Sequence, residues 1–148
     1  PIWCAVHILD WGSLQTLFSM LPKEIRRPIA AKLRLTPSVL DSWLNCLRVI
    51  RNISAHHSRF FNRSLSNTPT IPHNASEIGI MGLSEAKNKC FDQLTLIQYL
   101  TRTMGLGGGT ALPAVLATFP ATDVVPLRAT GTPDNWQSLP LWSCEPTT

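Results

Sequence analysis

The sequence predicts an all-α chain, and three observations predict it. Apolar residues recur at helical spacing, Ser, Thr or Pro stands ahead of those runs with Gly or Pro behind them, and no segment alternates like a half-buried strand. Ser13 followed by Leu14, Leu17, Phe18 and Leu21 reads as an N-cap and the apolar stripe of a short helix, which Pro22 ends. Pro28 opens a further short helix through Ile29, Ala30, Ala31 and Leu33, because its missing N–H has no partner in a first turn. Thr36 and Pro37 repeat that start signal. Val39, Leu40, Trp43, Leu44, Leu47, Ile50 and Ile53 then recur at helical spacing, with no Gly or Pro before Pro69, which predicts a long helix over about 37–63.

Residues 64–83 carry Ser, Thr, Asn, Pro and Gly, the chemistry of a loop. Ser84 and Glu85 begin a second long helix with a buried stripe of Ala86, Cys90, Leu94, Ile97, Leu100 and Met104, and Gly105 stops it. Gly107, Gly108 and Gly109 read as a hinge. Six prolines between 113 and 146 predict that residues 105–148 form an irregular Pro/Gly-rich tail with few regular hydrogen bonds, packed on the helical domain of 1–104 and pinned by Trp136 and Trp142. There is no period of an internal repeat.

A chain of 148 residues suits one domain, and 44% hydrophobic residues with five Trp and five Phe can bury a sizeable core. Wholesale disorder is excluded. No apolar run reaches the roughly eighteen residues of a spanning helix, so no membrane is expected. The opening at Pro1, without a basic stretch leading into an apolar one, reads as an internal fragment without a signal peptide. Cys4, Cys46, Cys90 and Cys144 are unevenly spaced and include no Cys-x-x-Cys, which suits reduced thiols in a cytoplasm. The Asn-x-Ser triplets at Asn52, Asn62 and Asn74 read as chance.

Charge is segregated. Residues 23–63 hold nine basic side chains against Glu24 and Asp41 alone, whereas the remainder of the chain is net acidic. A concentrated positive field points to a polyanion partner; a solvated basic face is the plainer reading. Within that segment lies RNISAHHSRFFNR, residues 51–63. On a continuous helix Arg48, Asn52, His56, Arg59 and Arg63 share one stripe, with Arg51 flanking it. Leu47, Ile50, Ile53, Phe60 and Phe61 form the opposite side, fit to pack on the Cys90–Met104 helix. His57 falls nearer that apolar side and is expected to be partly buried.

Histidine exchanges protons near neutral pH, and arginine grips phosphate bidentately. Together they supply what RNA transesterification needs: a base for the 2′-OH, a cation for the charged pentacoordinate phosphorus, and an acid for the leaving 5′-oxygen. No metal or other cofactor is called for.

Arg51-Asn52-Ile53-Ser54-Ala55-His56 resembles the Arg-polar-x-x-x-His motif of HEPN domains, and its extension through His57, Arg59, Asn62 and Arg63 resembles the Abi-like (abortive infection) family of bacteria. Pro1-Ile2-Trp3, Trp11-Gly12, Ser42-Trp43-Leu44, Pro133-Asp134-Asn135-Trp136 and Pro140-Leu141-Trp142 resemble that family's pattern in order. The resemblance implies an all-α HEPN-like bundle, the C-terminal part of a longer family protein. It further implies a homodimer in which motifs of two protomers form one ribonuclease site, with Arg51 and His56 catalytic and Asn52 orienting them. Arg48, His57, Arg59 and Arg63 are then the expected RNA-binding residues, and an antitoxin or regulatory protein is a possible further partner. The chain has His7 where the family often has an acidic residue that could orient Arg51 or His56.

Other chemistries fit less well. The four histidines lack metal-ligand spacing, since adjacent histidines on a helix point about 100° apart. There is no Gly-x-Ser-x-Gly, and the glycine run lacks the strand and Lys of a phosphate loop. The alternative of weight is a module that holds RNA, or an acidic partner protein, without turnover.

Overall fold

The computed structural model describes residues 9–120 and 122–143. Among these residues the fold is all-α: α1 (Trp11–Met20), α2 (Lys23–Lys32), α3 (Pro37–Ala55), α4 (Cys90–Thr103) and α5 (Ala111–Ala117), with three short 3-10 turns and no strand. α3 is the axis, packed against α1, α2 and α4.

Asp10, not Ser13, caps α1: its carboxylate accepts the Ser13 backbone N–H at 2.7 Å. Its placement lets the helix start one turn earlier than the apolar stripe suggests. Leu21 leaves the helix in extended backbone, as a residue before proline must. α2 also begins earlier than expected, at Lys23, and carries Pro28 in its interior. Glu24 in its first turn and Lys32 in its last match the helix dipole, which favours the longer helix despite the hydrogen bond that Pro28 cannot donate. α2 ends in a Schellman motif, with Leu35 N–H on Ala30 O and Arg34 N–H on Ala31 O and Arg34 left-handed at φ 54°.

α3 begins as the sequence predicts, with Thr36 Oγ1 accepting the Val39 N–H and Pro37 in the first turn. Val39, Leu40, Trp43, Cys46, Ile50 and Ile53 are buried along it. Its end is the main correction: it stops at Ala55, eight residues short of the expected 63. His57 adopts φ 51°, its N–H bonds Ser54 O at 3.1 Å, and the Ser58 N–H bonds Ile53 O at 2.9 Å. This is a second Schellman stop, made without glycine and therefore silent in composition.

The loop expected over 64–83 extends from the end of α3 to Lys89 and is held by α3 itself. Trp43 donates its indole N–H to Thr70 O at 2.8 Å, and Ser42 Oγ accepts the Thr70 N–H at 2.9 Å. Leu65, Ile78 and Ile80 enter the core from it. The second long helix starts at Cys90 rather than Ser84. Lys87 is left-handed, and the fully buried Asp92 carboxylate gathers the Ser84 N–H, the Ser84 hydroxyl and the Lys89 N–H, which fixes the chain ahead of the helix.

Of the expected α4 stripe, Cys90 and Leu100 are buried, Leu94 and Ile97 partly so, and Ala86 and Met104 exposed. Phe91, Leu96 and Tyr99 provide the deepest apolar contacts instead, because α4 is covered on a second side by the tail. Gly105 does stop the helix, at φ 66° with Leu106 N–H on Thr101 O. Gly107–Gly109 is a tethered 3-10 turn rather than a hinge, since Gln98 Nε2 donates to Gly109 O at 2.6 Å. Gln98 also reaches Leu141 O, and Arg102 donates to Pro140 O and Ser143 O. Trp136 and Trp142 pin the tail: Trp142 stacks on Phe91 at 4.8 Å and meets Trp136 edge-on at 5.9 Å. α5 is a regular helix within what the prolines predicted to be irregular.

The Trp142 indole N–H is buried without a partner, so the residue stabilises through packing alone. We expect Trp142→Ala to cost about 3–5 kcal/mol in urea unfolding. Trp142→Phe should cost markedly less, because it keeps the stack on Phe91 and removes the unpaired N–H.

Candidate functional site

The Schellman stop of α3 decides where the motif residues stand. Arg51 is exposed on the last turns, and its Nη1 donates to Asn52 Oδ1 at 3.1 Å. Asn52 is half-buried, and its backbone carbonyl accepts the His56 N–H at 3.0 Å. His56 is the C-cap residue and is exposed. Arg51 and His56 are five positions apart, so they leave α3 about 140° apart and are separated by about 7.5 Å along its axis. Both are open to solvent.

The five-residue stripe expected on one continuous helix is not formed. Arg48, Asn52 and His56 lie on or at the end of α3, whereas Arg59 and Arg63 are exposed in the irregular chain beyond it, where Asn62 is also left-handed. His57, expected to be partly buried, is exposed, because the left-handed turn carries it out of the helical register. Phe61, expected on α4, stacks on Phe119 at 5.6 Å for the same reason. Arg48 is half-buried and engaged within the fold: Nε donates to Gln15 Oε1 at 3.2 Å and Nη2 to Asn45 Oδ1 at 2.9 Å.

Two features escaped the sequence reading. The first is Asp10. Hydrogen bonds from Ser13 hold its carboxyl below the usual range, and the charge of Arg51 adds to the effect. Asp10, fully engaged in capping α1, therefore stays anionic at neutral pH. His7 itself lies outside the described residues. The Asp-x-x-Ser spacing was the available signal for the cap; nothing in sequence placed it near Arg51. The second is a groove of about 310 Å³ lined by Trp11, Leu47, Ile50, Ile97 and Met104, with Arg51 at its edge. Trp11 is fixed there by its indole N–H on Leu44 O at 3.0 Å.

Among the described residues no three His, Cys, Asp or Glu side chains gather as a metal-binding group, and no helix is long and apolar enough to cross a membrane. Burial pushes the Cys46 thiol up to about 11 and the Cys90 thiol up to about 12, so both remain protonated at neutral pH. Cys4 and Cys144 lie outside the described residues.

Residues 1–62, which contain α1 to α3 and the Arg51–His56 motif, match the family described as Abi-like protein. This segment, less than half of the chain, is similar to that family. The Pro133–Trp136 and Pro140–Trp142 segments, which resemble the family's pattern, lie beyond the matched residues. No curated protein and no solved structure matches the chain.

His57 pays for its left-handed backbone, a conformation that favours glycine. His57→Gly is therefore expected to raise unfolding stability by about 1 kcal/mol in a denaturant titration. A continuous helix through residue 63 would instead be weakened by glycine at this point.

Proposed function

We propose that this chain is a metal-independent endoribonuclease of the HEPN superfamily, acting in abortive infection or toxin-like growth arrest in the cytoplasm. The observation that carries this reading is the exposure of both Arg51 and His56 at the end of α3, within the family-matched residues. An imidazole and a guanidinium sealed in the core would have no access to RNA.

In this reading His56 takes the proton of a ribose 2′-OH as the 2′-oxygen attacks the adjacent phosphorus. Arg51 balances the charge that builds on the phosphoryl oxygens. The P–O5′ bond breaks, the 5′-oxygen takes up a proton, and the products carry a 2′,3′-cyclic phosphate and a 5′-hydroxyl. Asn52 orients Arg51 through their hydrogen bond. The divergence of Arg51 and His56 around α3 favours a site completed by the motif of a second protomer, with base and acid supplied from different chains. Arg59, Arg63 and His57, all exposed, extend the positive surface along which RNA phosphates can run.

The engagement of Arg48 by Gln15 and Asn45 favours a second reading, in which this surface is a fixed recognition platform holding RNA, or a regulatory protein, without turnover. One assay separates the two. Arg51→Ala and His56→Ala are each expected to lower EDTA-resistant cleavage of single-stranded RNA by at least a hundredfold with unchanged thermal melting. Cyclic-phosphate ends should disappear with them. Equal cleavage by wild type and both variants removes the nuclease assignment. Weakened RNA binding with no cyclic-phosphate ends from any form of the protein selects the platform.

A further inference from the structure

The turn that ends α3 sets a second solvent-facing imidazole beside the first. On a continuous helix His57 would leave the axis about 100° from His56, toward the apolar side. With His57 left-handed at φ 51°, both residues are exposed instead, His56 at the cap and His57 immediately after it. Their Cα atoms are about 3.8 Å apart, as across any trans peptide. Two backbone hydrogen bonds, from the His57 N–H to Ser54 O and from the Ser58 N–H to Ile53 O, fix the segment that carries both rings.

Cleavage through the 2′-OH needs two proton transfers at one phosphate, to a base from the attacking hydroxyl and from an acid to the departing 5′-oxygen. Arg51, Arg59 and Arg63 hold their protons permanently and cannot serve as that acid. Asp10 is kept anionic by its hydrogen bonds from Ser13, and Cys46 and Cys90 are buried. Histidine is the side chain that exchanges a proton around neutral pH, and the described residues hold His56, His57 and His73. His73 follows Thr70, which is tied to Ser42 about 20 Å from Ala55 along α3. His57 is what remains beside the base.

We propose that His57 is the catalytic acid of this site, giving a proton to the 5′-oxygen while His56 takes the proton of the 2′-OH. The proposal rests on the nuclease reading. As the 2′-oxygen bonds to phosphorus, the P–O5′ bond breaks and its electron pair leaves with the 5′-oxygen, which takes the imidazolium proton of His57. His56 ends protonated and His57 neutral, and proton exchange with water restores both. In a site built from two protomers, base and acid stay on different chains when His57 faces His56 of the partner subunit. The two histidines, though neighbours in sequence, then have distinct roles.

The test uses the full chain and two single-stranded RNAs, identical except that one carries sulfur in place of the bridging 5′-oxygen at a mapped cut site. A thiolate leaves without a proton, so the sulfur-bridged strand needs no acid. His57→Gly and His57→Asn remove the imidazole from a left-handed position that both replacements tolerate. On ordinary RNA each is expected to lower cleavage by roughly a hundredfold. On sulfur-bridged RNA each should cut like wild type. His56→Ala should stay slow on both strands, because the 2′-OH must still lose its proton. Wild-type rates on ordinary RNA from both His57 variants overturn the assignment and leave the nuclease reading standing. An equal loss on the two strands also overturns it, and marks His57 as a phosphate contact instead. If wild type releases cyclic-phosphate ends from neither RNA, the nuclease reading falls and the role of His57 falls with it.

Discussion

Two hydrogen bonds end α3, from the His57 N–H to Ser54 O and from the Ser58 N–H to Ile53 O, and the placement of every motif residue follows from them. They leave Arg51 on the helix wall, set His56 at its cap, and turn Arg59 and Arg63 off the helix altogether. Had the helix run on, five cationic or polar side chains would line one solvent-facing stripe. The observed termination concentrates the chemistry at one helix end and frees the chain beyond it to cross toward Phe119.

The rest of the molecule holds that end still. α3 is buried along Val39, Trp43, Cys46, Ile50 and Ile53, and Trp43 meets Tyr99 of α4 edge-on at 5.5 Å while pinning the long loop at Thr70. α4 in turn is locked from behind by the tail, through Gln98, Arg102 and the stack of Phe91 with Trp142. Few elements are regular on that side, yet side-chain hydrogen bonds to Gly109, Pro140, Leu141 and Ser143 carbonyls replace the missing backbone ladders. A rigid helix end is what a site built from only two or three reactive side chains requires.

How much of this was legible in the sequence depended on whether the signal was local. The all-α class, the start of α3 at Thr36-Pro37, the stop at Gly105 and the anchoring by Trp136 and Trp142 were readable, because capping chemistry, glycine and large aromatics act within a few residues. The end of α3 was not, because a histidine occupies the left-handed position that glycine usually marks. The start of α4 was misplaced for a non-local reason: Asp92 collects Ser84 and Lys89, turning an apparent N-cap into a loop anchor. In the candidate site, Arg51, Asn52 and His56 could be nominated from spacing and resemblance. The nearness of Asp10 to Arg51, the groove at Trp11 and the pairing of Gln15 with Arg48 arise from α1 crossing α3, and such tertiary contacts leave no trace in either segment alone.

The central claim is that the Arg51 and His56 end of α3 acts on RNA through the substrate's own ribose hydroxyl. Its most direct measurement is cleavage of a single-stranded RNA carrying one 2′-O-methyl group at a mapped cut site, compared with the unmodified strand. The account predicts that cutting at that linkage stops while cutting elsewhere and binding continue. Continued cutting at the methylated linkage would contradict it.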